Sequence, residues 1–115
     1  MQTISIQAYG VVATVYECDI GEGLPVHRHD VPHGHAVVRG RTEVTIGSDP
    51  PFEMTREFGN KELPADIDHA IVAMENGTVF VNIIAASPDG GMAGTAATGR
   101  KGGVMLRDGT IVYAD

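Results

Sequence analysis

Histidine is the residue through which this chain could do chemistry. Of its five histidines, His27, His29, His33 and His35 fall within nine residues, and His69 stands alone downstream. The local run reads Gly21-Glu-Gly-Leu-Pro-Val-His27-Arg-His29-Asp-Val-Pro-His33-Gly-His35. Neutral imidazole is the commonest side-chain metal ligand, and its nitrogens suit iron, copper, nickel and zinc. Side chains of an extended strand alternate faces, so His27 and His29 share one face while Arg28 turns away. His33 and His35 likewise share a face after the break at Asp30-Val-Pro. Two neighbouring strands can therefore aim three or four imidazoles at one point. A later strand carrying His69 closes the set if the sheet curls.

The elements that must position these rings are strands. Helical periodicity is nearly absent, and alternating or β-branched runs recur at Thr3–Ala8, Val11–Ile20, His33–Arg39, Thr42–Gly47, Ile67–Glu75, Thr78–Ala86 and Val104–Tyr113. Turn signals separate them at Gly21-Glu-Gly, Gly40, Ser48-Asp-Pro-Pro, Gly59-Asn and Asn76-Gly77. The Asn76-Gly77 pair between two apolar runs predicts a two-residue hairpin, because both residues tolerate positive φ. A length of 115 residues, 43% hydrophobic with 15 glycines, fits one all-β domain. Within it, residues 1–89 read as a barrel, 90–103 as a Gly/Ala-rich connection, and 104–115 as a final hairpin. Such a hairpin must pack on its own barrel or on a partner subunit.

Charge and composition exclude several classes. A net charge of −7 argues against nucleic acid and against an anionic membrane. No apolar run approaches a membrane span. Met1-Gln-Thr-Ile-Ser-Ile-Gln has neither the basic region nor the apolar block of a secretory leader, so a cytoplasmic protein is expected. Cys18 is the single cysteine, which rules out an intrachain disulfide and a Cys-x-x-Cys zinc pair. Phosphate-loop and Gly-x-Ser-x-Gly patterns are absent from the sequence.

At this point the chain resembles the cupin superfamily, small jelly-roll barrels holding one metal near an open end. In the first cupin motif a Gly is followed by His-x-His, an acid and a second Gly. Gly21, His27, His29, His33 and Gly40 take those places with matching spacing, His33 standing where glutamate is usual. Pro64-Ala-Asp66-Ile-Asp-His69 looks like the family's Pro-x-Gly-x-x-His, with Asp66 in place of the turn glycine. Aspartate visits the left-handed region readily enough for that exchange. The family's usual asparagine after the last histidine is Ala73 here, and Gly59 stands one residue too close to Pro64. The match runs from about Cys18 to Ala86.

The resemblance implies a double-stranded β-helix with His27, His29, His33 and His69 as metal ligands. Three histidines and a carboxylate leave a divalent ion at +1, whereas four neutral imidazoles leave it at +2. That set favours a late first-row divalent metal (Fe, Ni, Cu or Zn) over Mn, and makes it a stronger Lewis acid. Four-histidine cupins imply an oxygenase acting on a small oxygen-chelating substrate. A redox-neutral cyclase or isomerase, and a non-catalytic small-molecule binder, stand beside that reading. His35 is left open: it contacts substrate, orients a ligand ring, or takes the place given to His33.

Other residues join the candidate pocket. Cys18 and Tyr16 share an inward alternation, the thiol as a small buried residue and the phenol as core or substrate contact. Asp66 and Asp68 flank the turn before His69 and could orient a ligand ring as outer carboxylates do. Phe52, Phe58 and Phe80 read mainly as core. The two runs Ala70–Met74 and Val79–Ile84 are apolar on both faces, while one sandwich buries only one, so a homodimer is expected.

Overall fold

The computed structural model describes residues 1–85 and two later strand segments, Gly102–Met105 and Ile111–Ala114. Eleven strands are described: β1 (Gln2–Ala8), β2 (Val11–Cys18), β3 (Gly23–His27), β4 (His33–Arg39), β5 (Thr42–Ile46), β6 (Phe52–Met54), β7 (Asn60–Leu63), β8 (His69–Ala73), β9 (Thr78–Ala85), β10 (Gly102–Met105) and β11 (Ile111–Ala114). A five-stranded sheet has the order β1-β2-β9-β4-β7, and a four-stranded sheet the order β3-β8-β5-β6. Every pairing is antiparallel. From β3 to β9 the chain passes repeatedly between the two sheets, which is jelly-roll topology. The expected barrel is thus realised as two antiparallel sheets sharing a core.

Period-two patterning explains which faces meet. In β2, Val12, Thr14, Tyr16 and Cys18 are buried while Val11 and Glu17 are exposed. Leu24, Val44, Met54 and Ile71 answer from the four-stranded sheet, and Val37, Leu63, Phe80 and Ile84 from the five-stranded one. Tyr16 stacks on Phe80 with ring centroids 4.7 Å apart. Phe52 packs at the margin of this core, but Phe58, expected inside, is 49% exposed.

Sequence patterning overlooked β6 and β7, and it placed His27 and His29 on one strand, whereas β3 runs Gly23–His27 and leaves His29 beyond its end. Gly23-Leu-Pro-Val-His27 does not alternate because a bulge shifts its register between Leu24 and His27. β6 has only three residues, and β7 is the polar Asn60-Lys-Glu-Leu63. The Asn76-Gly77 hairpin is corrected. β8 pairs with β3 and β5 whereas β9 pairs with β2 and β4, so the turn joins two sheets. Long-range bonds hold this corner: Ile20 N–H donates to Asn76 Oδ1 at 2.9 Å, and Arg39 Nε to Gly77 O at 2.9 Å. Tertiary contacts override the local hairpin preference there.

β10 and β11 pair with each other, as the expected final hairpin requires. Their turn at Arg107–Thr110 and most of the 90–103 connection lie outside the described residues. The outer face of the five-stranded sheet remains apolar: Ile4 is 63%, Ile6 58% and Ile83 44% exposed. Cross-strand register continues it through Val15, Val81 and Ala36.

Candidate metal centre

Four histidines meet at one end of the sandwich because each lies at or beside a strand end. His27 closes β3 directly opposite His69, which opens β8. His29 lies between β3 and β4, where its carbonyl accepts a 2.7 Å bond from Asp66 N–H. Asp66 adopts φ 63°, the left-handed conformation its motif position demands. His33 opens β4 with its backbone paired to Leu63 on one side and Ile84 on the other. All four side chains are buried.

Their rings form an uneven quadrilateral. Centroids are 4.2 Å apart for His27–His69, 5.0 Å for His27–His29, 5.0 Å for His29–His33 and 4.7 Å for His33–His69. The His27–His33 diagonal is longest, at 6.4 Å. Donor nitrogens of His27, His29 and His69 all lie within 4.8 Å of one another. An ion with bonds of about 2.0–2.1 Å would close that triangle through small ring adjustments.

Hydrogen bonding fixes two of the rings. His27 Nδ1–H donates to Pro25 O at 2.7 Å, and His69 Nδ1–H to Ile67 O at 3.1 Å. A carbonyl oxygen can only accept, so Nδ1 carries the proton and each Nε2 presents a lone pair. Those two Nε2 atoms are buried without a hydrogen-bond partner among the described residues, as are both nitrogens of His33. Unpartnered buried nitrogens cost about 1–3 kcal/mol each. A divalent ion would satisfy the lone pairs together, so the donor set fits a metal.

Burial also keeps the cluster uncharged. Loss of solvation, followed by repulsion from neighbouring imidazoles, pushes His29 down to about 3 and His33 to about 2. The same two causes lead for His69, lowered to about 4, and burial lowers His27. Metal-free protein should therefore be acid-labile. Above the unfolded value near 6.5 neither state is protonated at these rings, and the full stability is present. Between that value and the folded ones the unfolded chain binds protons the native one refuses, so stability falls with pH, by at most about 1.4 kcal/mol per pH unit per ring. Urea midpoints of metal-free protein should be flat from pH 8 to 7 and fall steeply below about 6.

His35 is engaged elsewhere. Its Nδ1–H donates to Asn82 Oδ1 at 2.8 Å, and its Nε2 accepts from the Thr42 hydroxyl at 3.1 Å. The ring lies edge-on to Phe80, 5.2 Å between centroids. With both nitrogens occupied, it ties β4, β5 and β9 together inside the core. His35→Ala should retain metal but lower stability by about 2–4 kcal/mol, since Asn82 and Thr42 lose their partner. A thermal melt alongside metal analysis checks both halves.

The remaining candidates lie outside the cluster. Tyr16 is fully buried against Phe80, and Cys18 is buried, its thiol pushed up to about 11 chiefly by desolvation. Asp68 binds Arg28 Nε at 2.7 Å, so its expected role against a ligand ring goes instead to the carbonyls of Pro25 and Ile67. Asp66 contributes its left-handed backbone and its bond to His29 O. Sequence reasoning passed over Asn82. A polar residue between inward-facing Phe80 and Ile84 was the available signal.

No protein-family model matches the chain, and no curated protein matches it in sequence. Its fold nevertheless has close structural counterparts. KdgF from Halomonas sp. superposes with a TM-score of 0.64 at 19% identity, covering 71% of this chain and 74% of that one. A cupin superfamily protein from Desulfitobacterium hafniense gives 0.62 at 18% identity, covering 75% and 79%. Bacillus subtilis oxalate decarboxylase, described with Mn(II) centres, gives 0.56 at 19% identity over 64% of this chain. The chain spans only 20% of the length of that enzyme. On topology and superposition together, this chain has the jelly-roll fold of the cupin superfamily.

Proposed function

We propose that the chain is a metal-dependent cupin enzyme acting on a small organic substrate that chelates the ion through oxygen, with an oxygenase as the leading reading. The observation that supports it is the buried, uncharged cluster of His27, His29, His33 and His69, with two Nε2 lone pairs locked inward. Four nitrogen donors favour Fe, Ni, Cu or Zn over Mn. A bound divalent ion would supply Lewis acidity and, if redox-active, electrons for oxygen chemistry. The protein's part is to hold the ion and keep the imidazoles neutral, with no carboxylate among the four candidate ligands to repel an anionic oxygen donor. A redox-neutral reaction at the same centre is the second reading, favoured by the decarboxylase among the fold neighbours.

Metal analysis of untagged protein is the first test. Less than about 0.2 metal per chain, with no uptake on reconstitution with Fe, Mn, Co, Ni, Cu or Zn, would sink the metal reading. Oxygen uptake with diketones, catechols and thiols then divides the two reactions, because a redox-neutral enzyme consumes none.

The apolar outer face of β1, β2, β9 and β4 supports a homodimer. Those four strands, about 4.8 Å apart and each about seven residues long, span roughly 440 Å² in projection, before side-chain relief is added. A standard interface takes about 800 Å² per partner, which is the same order. Sedimentation should show a dimer at micromolar concentration and a monomer for Ile83→Asp with metal retained. A monomeric wild type would mean that no second copy of the chain covers the face.

A further inference from the structure

We propose, building on the metal reading above, that the four histidines work as three plus one: His27, His29 and His69 hold the ion, and His33 is a displaceable fourth ligand that yields its place to an incoming bidentate oxygen donor. Anchoring separates His27 and His69 from His29 and His33, and position then separates His33 from His29. His27 and His69 are each tied through Nδ1 to the carbonyl two residues earlier, at 2.7 and 3.1 Å. Neither nitrogen of His33 has a partner among the described residues. An anchored imidazole keeps its donor aimed, whereas rotation of the His33 ring breaks no hydrogen bond to them.

Position separates them again. The donor atoms of His27, His29 and His69 gather within 4.8 Å, a group that does not include His33. The His33 ring flanks His69 and His29, at 4.7 and 5.0 Å, but stands 6.4 Å from His27. It therefore approaches such an ion from one side. Its backbone is held in the ladder by Leu63 and Ile84, so the adjustment is confined to the side-chain torsions and leaves β4 in place.

Charge makes the exchange inexpensive. Withdrawing a carboxylate from a buried divalent ion separates opposite charges, but withdrawing a neutral imidazole separates none. The ion remains at +2, and an anionic oxygen donor entering that position gains the full attraction. Once released, the His33 ring still lies beside the vacated position and can hydrogen-bond the newcomer. The exchange is a ligand substitution with no net transfer of electrons.

Cobalt(II)-loaded full-length protein tests this, with acetohydroxamate as the bidentate oxygen probe. Wild type and the His27→Ala, His33→Ala and His33→Gln variants are compared by metal content, chelator competition and NMR of the paramagnetically shifted imidazole signals. His33→Ala and His33→Gln should keep about one cobalt per chain with affinity lowered about 10-fold, against a loss of 100-fold or more for His27→Ala. Acetohydroxamate should remove the shifted signals of His33 alone. If both His33 variants lose cobalt as fully as His27→Ala, or if the probe displaces a different histidine, the three-plus-one division is wrong. A wild-type chain that takes up no cobalt overturns the metal centre itself, and this inference with it.

Discussion

His69→Ala should leave the purified chain without stoichiometric metal. His69 is the one ligand candidate distant in sequence from the others, and its strand sets the position of His27 through their direct pairing. Removing its ring deletes one of the three gathered donor nitrogens and takes away the closest ring contact in the cluster, 4.2 Å to His27. A structural zinc ion held by four ligands contributes about 10–16 kcal/mol, or roughly 2.5–4 kcal/mol per ligand. Affinity should accordingly fall by two to three orders of magnitude. Elemental analysis after dialysis against a weak chelator reads the effect directly. Added imidazole should restore part of the binding by occupying the vacated space. A His69→Ala chain that still carries one ion per molecule would contradict the site as drawn.

Gly23→Ala should be the most damaging substitution away from the histidines. A Cβ at Gly23 would collide with the backbone carbonyl of Ile71 on the paired strand, and a backbone atom cannot step aside as a side chain would. Relief requires β3 to pull away from β8, which breaks the ladder that also sets His27 opposite His69. Overpacking typically costs 1–3 kcal/mol, and this collision should reach about 3 kcal/mol or more. Loss of metal uptake should accompany the lowered denaturation midpoint. Gly59→Ala is the control: its φ of 83° strains any side chain, yet a Cβ there meets nothing within 4 Å. It should cost only about 1 kcal/mol and leave metal uptake unchanged. Equal losses for the two would show that backbone conformation, not the close approach of β3 to β8, governs Gly23.

Much of the architecture could be read from residue order because period-two burial leaves a strong trace. β2, β4 and β5 alternate, β9 is a β-branched run apolar on both faces, and each was foreseen within a residue or two. The histidine spacing likewise foretold a cluster with a contribution from His69. What remained hidden depended on pairing rather than pattern. Alternation puts His33 and His35 on the same face, so it cannot separate their roles. The register that sets Asn82 opposite His35 and Ile84 opposite His33 does so. Asn76-Gly77 is chemically suited to a hairpin, but the strands it joins find other partners. The ring anchors were invisible for a further reason: every residue supplies a backbone carbonyl, proline included, as Pro25 and Ile67 do here, so residue type leaves no trace of which ones accept.

The cluster is also divided between the sheets. His27 and His69 belong to the four-stranded sheet, while His33 opens a strand of the five-stranded one. An ion bound by all three would add a rivet between two plates that the chain already links at that end, through residues 28–32 and 64–68 and the bond from Asp66 N–H to His29 O. Metal occupancy would then add to the mechanical integrity of the sandwich. Displacing His33 would withdraw that one fastening while β4 keeps its place in its own sheet, so a ligand arriving at the centre would ease the contact between the plates at that edge.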